Sequence, residues 1–282
     1  MNQQQVQANQ AQATLWNGGG GEVWVEQQRM LDRLFLPFER LLADAVQTGG
    51  ARDVLDIGCG AGATTIAAAR SLAQQGHCTG LDISVPLIEA ARRRVEAAGV
   101  ANAQFIVGDA QRHAFAPARF DTVISRFGVM FFDDPEAAFA NLRRAVTADG
   151  GLTFSAWRDA KENPFMATAE RAAAPFLPGL TDRDPAAPGQ FAFADAERIR
   201  RILTAGWRDI DIEPLDVRCT LSEDDLNTYV TRMGRVGLLL PELDDTTRAR
   251  VVTTVRRAFE HYVSAGVARF TAACWLVRAR AA

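Results

Sequence analysis

The chain has 282 residues, 48% of them apolar, with 31 basic and 34 acidic residues and a formal net charge of −3. That length and apolar content supply a core for one large domain, or one domain plus a cap. The dispersed, nearly balanced charge argues against a nucleic-acid groove, and no apolar run approaches the roughly 18 residues needed to span a bilayer. Arg92-Arg93-Arg94 and Arg256-Arg257 read as exposed helix faces. The four cysteines, Cys59, Cys78, Cys219 and Cys274, form no CxxC pair and have no histidine at metal-ligand spacing. No metal is expected, and a reduced, cytoplasmic setting is the default.

The Gln-rich start, up to Trp16, lacks the basic and apolar regions of a signal peptide and reads as a disordered tail. Apolar residues at helical spacing from Glu22 to about Val46 predict one helix, ended by Gly49-Gly50. Asp53 to Gly58 is a buried strand running into glycines. Thr64 to Ala73 is helical, and His77 to Asp82 is a second strand. Ser84 caps a helix with Pro86 in its first turn, running to about Ala98. Gln104 to Val107 and Phe120 to Ser125 are strands three and four. Asp134-Pro135 opens a helix to Val146, and Gly150-Gly151 starts a fifth strand through Trp157. This β-α alternation is the signature of a doubly wound parallel sheet. Beyond it come a short helix (Asn163 to Ala174), a Pro- and Gly-rich loop (Leu177 to Gln190) and a helix capped by Asp195. A strand (Asp209 to Leu215), helices over Ser222 to Met233 and Asp245 to Ala265, and a last strand from Val267 to Ala279 complete the chain.

The chemistry is concentrated in the loop Asp56-Ile57-Gly58-Cys59-Gly60-Ala61-Gly62. A strand that ends in glycines and opens a helix brings a ligand close to backbone N–H groups. Alone, that pattern fits NAD, FAD and S-adenosylmethionine (SAM) sites alike. Three acids separate them. Asp56 lies two residues before Gly58, where a pyrophosphate is repelled and the ammonium and sulfonium of SAM are attracted. Asp82 ends the second strand and can accept both ribose hydroxyls. Asp109, in Gly108-Asp109-Ala110, follows the third strand and can accept from an adenine amino group. Each also has a structural alternative: Asp56 and Asp82 as helix caps, Asp109 as a turn residue. Cys59 is either a small packing residue or a reactive thiol.

Together VLDIGCGAGATT, GLDIS, GDAQ, FDTVISRFGVMFFDDP and GGLTFSAW resemble the class I SAM-dependent methyltransferases, especially the bacterial group compared with ubiquinone/menaquinone-biosynthesis methyltransferases. The likeness covers about Trp16 to Trp157 and continues more weakly through PGQFAFAD and CWLVRAR. It implies an α/β, Rossmann-like, doubly wound seven-stranded sheet with an antiparallel last strand, plus an N-terminal helix and helical cap insertions. Residues 1–48 would form the tail and lid helix, 49–160 the SAM-binding core, and 161–282 the remaining strands with a helical substrate cap. By the same likeness Asp56, Gly58 and Gly60 line the methionine end, with Cys59 between the glycines. Asp82 holds the ribose, Ile83 packs on adenine, and Gly108, Asp109 and Ala110 meet the adenine edge. Ser125 approaches the methionine moiety. Trp16 and Trp24 fold over the cofactor, with Gly18 to Gly21 as a hinge or a plain linker.

Methyl transfer from a sulfonium is an in-line displacement with a good neutral leaving group, so alignment and a dry site suffice. A base is needed only for an acceptor whose proton leaves early. His113 is a weak candidate; Tyr229 and Tyr262 are weaker still. The apolar run Phe127 to Phe132, with Arg126, Phe127, Met130 and Phe131 as its candidates, suits an apolar or aromatic small-molecule acceptor. Trp157 and Phe165 are further acceptor-binding candidates. The helices from Ser222 to Ala265 are read as a cap or a homodimer surface. Neither nucleic acid nor membrane insertion is expected. The rivals are a SAM-binding enzyme of this fold with non-methylating chemistry, a non-catalytic binding protein, and an NAD(P) oxidoreductase.

Overall fold

The computed structural model describes residues 9–72, 76–178, 180 and 187–282. Its strands are β1 (Asp53–Ile57), β2 (His77–Asp82), β3 (Ala103–Val107), β4 (Phe120–Arg126), β5 (Val146–Trp157), β6 (Trp207–Ser222), β7 (Val263–Ser264) and β8 (Val267–Ala281). They form one sheet in the order β3-β2-β1-β4-β5-β8-β6, with the two-residue β7 paired to β8. β1 to β5 pair in parallel, and β8 runs antiparallel to β5. The strand order reverses between β1 and β4, which opens a crevice at their carboxyl ends.

The chain divides into two compact units. The first comprises residues 1–157, 188–215 and 274–282, and the second 158–187 and 216–273. In the first, α3 (Gln28–Thr48) and α4 (Ala63–Ser71) lie in sequence on either side of β1. Leu42 and Val46 of α3, Val54 of β1, Ala68 of α4 and Cys78 of β2 pack in one buried cluster. α5 (Val85–Ala97) starts as its sequence dictates: Ser84 Oγ accepts from Leu87 N, with proline in the first turn. α6 (Pro135–Ala145) is capped by Asp134, and α8 (Ala196–Thr204) by Asp195.

The second unit holds α7 (Pro164–Ala173), α9 (Glu223–Arg232), α10 (Gly234–Leu239) and α11 (Asp245–Ala258). Its core is aromatic. Phe165 stacks on Phe270 at 3.7 Å between centroids and meets Tyr229, Phe259 and Tyr262 edge-on or tilted. Buried Asn163 clamps the chain there: its amide donates to Ala273 O and accepts from Ala273 N, both at 2.8 Å.

Several elements differ from the sequence expectation. The segment before Gly18 is helical, α1 (Gln10–Asn17), and the expected single helix from Glu22 is two, α2 (Gly19–Glu26) and α3, broken at Gln27. Gly19 to Gly21 lie inside α2, so they are neither hinge nor linker; Gly18 is the junction. Gly21 is required by contact, since a Cβ there would lie 2.0 Å from Trp16 O. The helix expected over Asp245 to Ala265 stops at Ala258 and gives way to a 3-10 turn (Glu260–Tyr262) and β7. α10 was not expected, and β6 is longer than its apolar pattern suggested. Arg94 is only 27% exposed: it ion-pairs with Asp32 at 2.5 Å and donates to Ala61 O. Residues 1–8, and 181–186 of the expected loop, lie outside the described residues.

Candidate functional site

The site is a cavity in the first unit, above the carboxyl ends of β1, β2, β3 and β4. Alternation along β1 drives Val54, Leu55 and Ile57 into the core and delivers the chain to Gly58. Gly58, Gly60 and Gly62 all have positive φ, a conformation open to glycine at little cost. Gly58 is further constrained: a Cβ there would sit 2.6 Å from Gly128 Cα, so the loops after β1 and β4 touch backbone to backbone. Ser125 ties the same two loops, donating to Ile57 O at 2.7 Å and accepting from Gly128 N at 3.2 Å.

Asp82 bridges the next pair of loops. One carboxylate oxygen accepts from Gly60 N at 2.8 Å and the other from Ser84 N at 2.9 Å. Asp82 therefore lies on the cavity wall and holds the N–H of Ser84, while the cap of α5 is Ser84 itself. Burial raises its carboxyl above the ordinary value, and the backbone donors at Ser84 and Gly60 pull it back. Asp109 closes the row: it accepts from Gln111 N at 2.9 Å and lines the cavity with Gly108 and Ala110.

Asp56 lies behind the glycine turn with no exposed surface. Its Oδ2 accepts from Thr65 Oγ1 at 2.7 Å, and its Oδ1 has no hydrogen-bond partner. Burial pushes the carboxyl up to about 7, against the Thr65 hydroxyl and the Arg126 charge. Such an acceptor beside a cavity is a place for a cation.

The remaining wall is apolar and reaches back to the N-terminus. Trp16 packs edge-on against Trp24 and Phe131, at 5.7 and 5.3 Å. Ser84 Oγ donates to Trp16 O at 2.5 Å, and the Asn17 side chain bonds both Ile83 O and Val85 N. α1 is thus pinned beside α5 by three polar contacts. Phe127 occupies the left-handed region at φ 65, a conformation that costs a bulky residue of order 1 kcal/mol or more. Its ring stacks on Trp157 at 4.8 Å, with the planes 12° apart.

Of the residues singled out from the sequence, Trp16, Trp24, Gly58, Gly60, Asp82, Ile83, Gly108, Asp109, Ala110, Arg126, Phe127 and Phe131 share this one cavity. Asp56, Cys59, Ser125, Met130 and Trp157 are buried behind it. Met130 Sδ accepts from Trp157 N at 3.3 Å, and burial raises the Cys59 thiol well above its usual range. His113 stands off the wall, its ring against Phe115 at 4.6 Å. Phe165 lies in the aromatic core of the second unit. Asn9, Gln12, Leu87, Gly128 and Phe132 also line the cavity. Phe132 belongs to the apolar run already singled out; Asn9 and Gln12 sit in a polar stretch with no periodic signal.

SAM suits this arrangement. The paired glycine turns admit a ligand against the backbone, two carboxylates stand on the wall, and the orphaned Asp56 oxygen faces a need for positive charge. The strand order, with acids at successive strand tips and an antiparallel closing strand, is that of a Rossmann-like doubly wound α/β sheet. Residues 54–150 match the family described as a methyltransferase domain. Aklanonic acid methyltransferase DauC of Streptomyces sp. (strain C5) is 34% identical over 121 residues, 43% of this chain and 55% of that one. A demethylmenaquinone methyltransferase of Renibacterium salmoninarum is 26% identical over 64% of this chain and 76% of its own length. The chain spans about half the length of the first curated relatives it matches. Among solved structures, a putative methyltransferase from Bacillus halodurans has the same fold, with a TM-score of 0.56 at 18% identity over 85% of this chain and 97% of that one.

Proposed function

We propose that the chain transfers the methyl group of SAM to a small, apolar or aromatic acceptor by in-line displacement. The observation that carries this reading is the shared cavity, in which the glycine turns and the carboxylates Asp82 and Asp109 meet an aromatic wall of Trp16, Trp24, Phe127, Phe131 and Phe132. When bound, SAM supplies an electrophilic methyl on a sulfonium. The chain's own part is to hold and to exclude water. Gly58 and Gly60 admit the ligand to the backbone, Asp82 takes the ribose hydroxyls, and Asp109 takes the adenine edge. Trp16 and Phe131 shed water from the transfer path.

Among the described residues, the ionisable groups on the wall are Asp82, Asp109 and Arg126; no histidine or tyrosine is there. That favours an acceptor which is nucleophilic without a strong base, such as an acidic hydroxyl or an activated carbon. The named relatives act on aklanonic acid and demethylmenaquinone, and another on nocamycin at oxygen, which supports a multi-ring or quinone-like acceptor and oxygen as the first atom to test.

Incubation with SAM and a panel of hydroxylated aromatic and quinol acceptors, followed by mass spectrometry, tests the reading. It expects S-adenosylhomocysteine and a singly methylated product in equal amounts. Turnover of an acceptor without S-adenosylhomocysteine would show a SAM-binding enzyme of different chemistry. Tight NADH binding with no SAM binding would replace the reading altogether.

A further inference from the structure

Asparagine at the start of a helix ordinarily turns its side-chain oxygen onto the N–H groups of the first turn. Asn9, the N-cap of α1, does not. Its backbone is left-handed, at φ 66 and ψ 7, and its side chain makes no capping bond. Asparagine tolerates that conformation better than most residues, but here it forfeits the cap. The side chain goes to the cavity wall instead. There the residue is only 8% exposed, and its buried Oδ1 has no hydrogen-bond partner among the described residues. A buried amide oxygen without a donor is costly, and native folds keep few of them.

The neighbours of Asn9 fix which part of the cavity it serves. Asn9, Gln12 and Trp16 recur at i, i+3 and i+7, so one face of α1 carries all three, and all three line the cavity. Gln12 Oε1 accepts from Trp16 Nε1 at 3.2 Å, and the Trp16 ring packs edge-on against Phe131. The Asn9 amide therefore extends the aromatic stretch of the wall, one helical turn from Gln12. The contacts proposed for the ribose and adenine of SAM lie elsewhere, at Asp82 on the end of β2 and at Asp109 just after β3. The far end of α1 is held in place by the bonds of Trp16 and Asn17 to residues 83–85, which sets where Asn9 stands.

We propose that Asn9 is a specificity-determining residue for the methyl acceptor, and that a hydroxyl of the acceptor donates to its Oδ1. The proposal rests on the methyl-transfer reading and narrows its substrate class. The acceptor carries a free hydroxyl, as a phenol or a quinol does, at the edge that meets α1. A hydroxyl satisfies the amide whichever way the amide is turned, because it both donates and accepts. A quinone carbonyl, an ether or a ring halogen offers no donor and leaves Oδ1 unpaired. A site built to bond a hydroxyl rejects analogues that lack it for that reason.

Equilibrium dialysis of the full chain saturated with S-adenosylhomocysteine tests this, with 2-naphthol and the nearly isosteric 2-fluoronaphthalene as probes. The wild-type chain is expected to bind 2-naphthol about 10- to 100-fold more tightly. Asn9→Gly, which suits the left-handed backbone, is expected to abolish that preference. Asn9→Asp, which keeps an acceptor oxygen, is expected to retain it. Calorimetry is expected to show the wild-type affinity for S-adenosylhomocysteine in both variants. Equal affinity of the wild type for the two probes, or binding of neither, overturns the proposal without any variant, so a misfolded variant cannot shield it. A preference that survives in folded Asn9→Gly also overturns it. Weaker S-adenosylhomocysteine binding in Asn9→Gly, with the probe preference intact, overturns it by assigning Asn9 to the cofactor. Failure of the wild type to bind SAM or S-adenosylhomocysteine overturns the parent reading instead.

Discussion

The two units bury their side chains on opposite terms. In the first, the strand ends around the cavity leave Asp56 Oδ1, Arg126 Nη1 and Ser155 Oγ buried and without a hydrogen-bond partner. In the second, the aromatic rings close on one another: Phe165 is 1% exposed and lies flat on Phe270. Unpaired polar atoms beside a cavity are stability withheld until a ligand arrives, whereas stacked rings are stability already realised. Phe165, an acceptor candidate from sequence, sits on the second side of that divide.

The sharpest break comes from Phe165→Ala. Removing a buried aromatic leaves a cavity and is expected to lower unfolding stability by about 3–5 kcal/mol. SAM affinity should stay at the wild-type value, measured by calorimetry well below Tm. A large loss of SAM affinity would dissolve the contrast between the units. Next is Asp82→Ala, which removes the acceptor of Gly60 N and Ser84 N together with the proposed ribose contact. SAM affinity is expected to fall about 100-fold, in line with loss of charge-assisted bonds. Unimpaired binding would sink the ribose assignment.

A third, smaller effect is pH dependence. The Asp56 carboxyl ionises near pH 7 in the folded chain, against an ordinary value of 3.8. Between those values the folded chain holds a proton that the unfolded chain has released. Its contribution to stability is therefore greatest below the ordinary value and is lost as pH rises through 7. SAM, which favours the ionised form, should bind about tenfold more tightly at pH 8 than at pH 6. Asp56→Asn should flatten both profiles, read by Tm and by calorimetry. The smallest effect is expected from Ser84→Ala, which loses a cap and the bond to Trp16 O. It should cost about 1 kcal/mol and speed hydrogen exchange in α1 before any other helix.

The β-α alternation, the glycine loop and the acids at three strand tips were legible in sequence because each obeys a local rule: period two, positive φ, or a carboxylate at a strand end. The N-terminal wall was not. α1 has a weak apolar pattern, and what holds it is a serine 68 residues away bonding a backbone carbonyl. The split between wall residues and those behind it was equally hidden. Phe127 and Met130 lie in one apolar run, yet the left-handed turn at Phe127 sends one to the cavity and the other beneath Trp157. Arg126 read as an acceptor contact from its place after β4. Only the strand register set it on the face of Asp56.

The Ser84 contact has a practical corollary for anyone who makes this protein. The polar segment ahead of Gly18 looks expendable on a sequence trace, and trimming it would be an ordinary step before crystallisation or tagging. Here it would remove Gln12 and Trp16 from the cavity and leave the Ser84 hydroxyl without its carbonyl. A shortened version that folds and purifies well would still misreport the affinity of this cavity for its ligand.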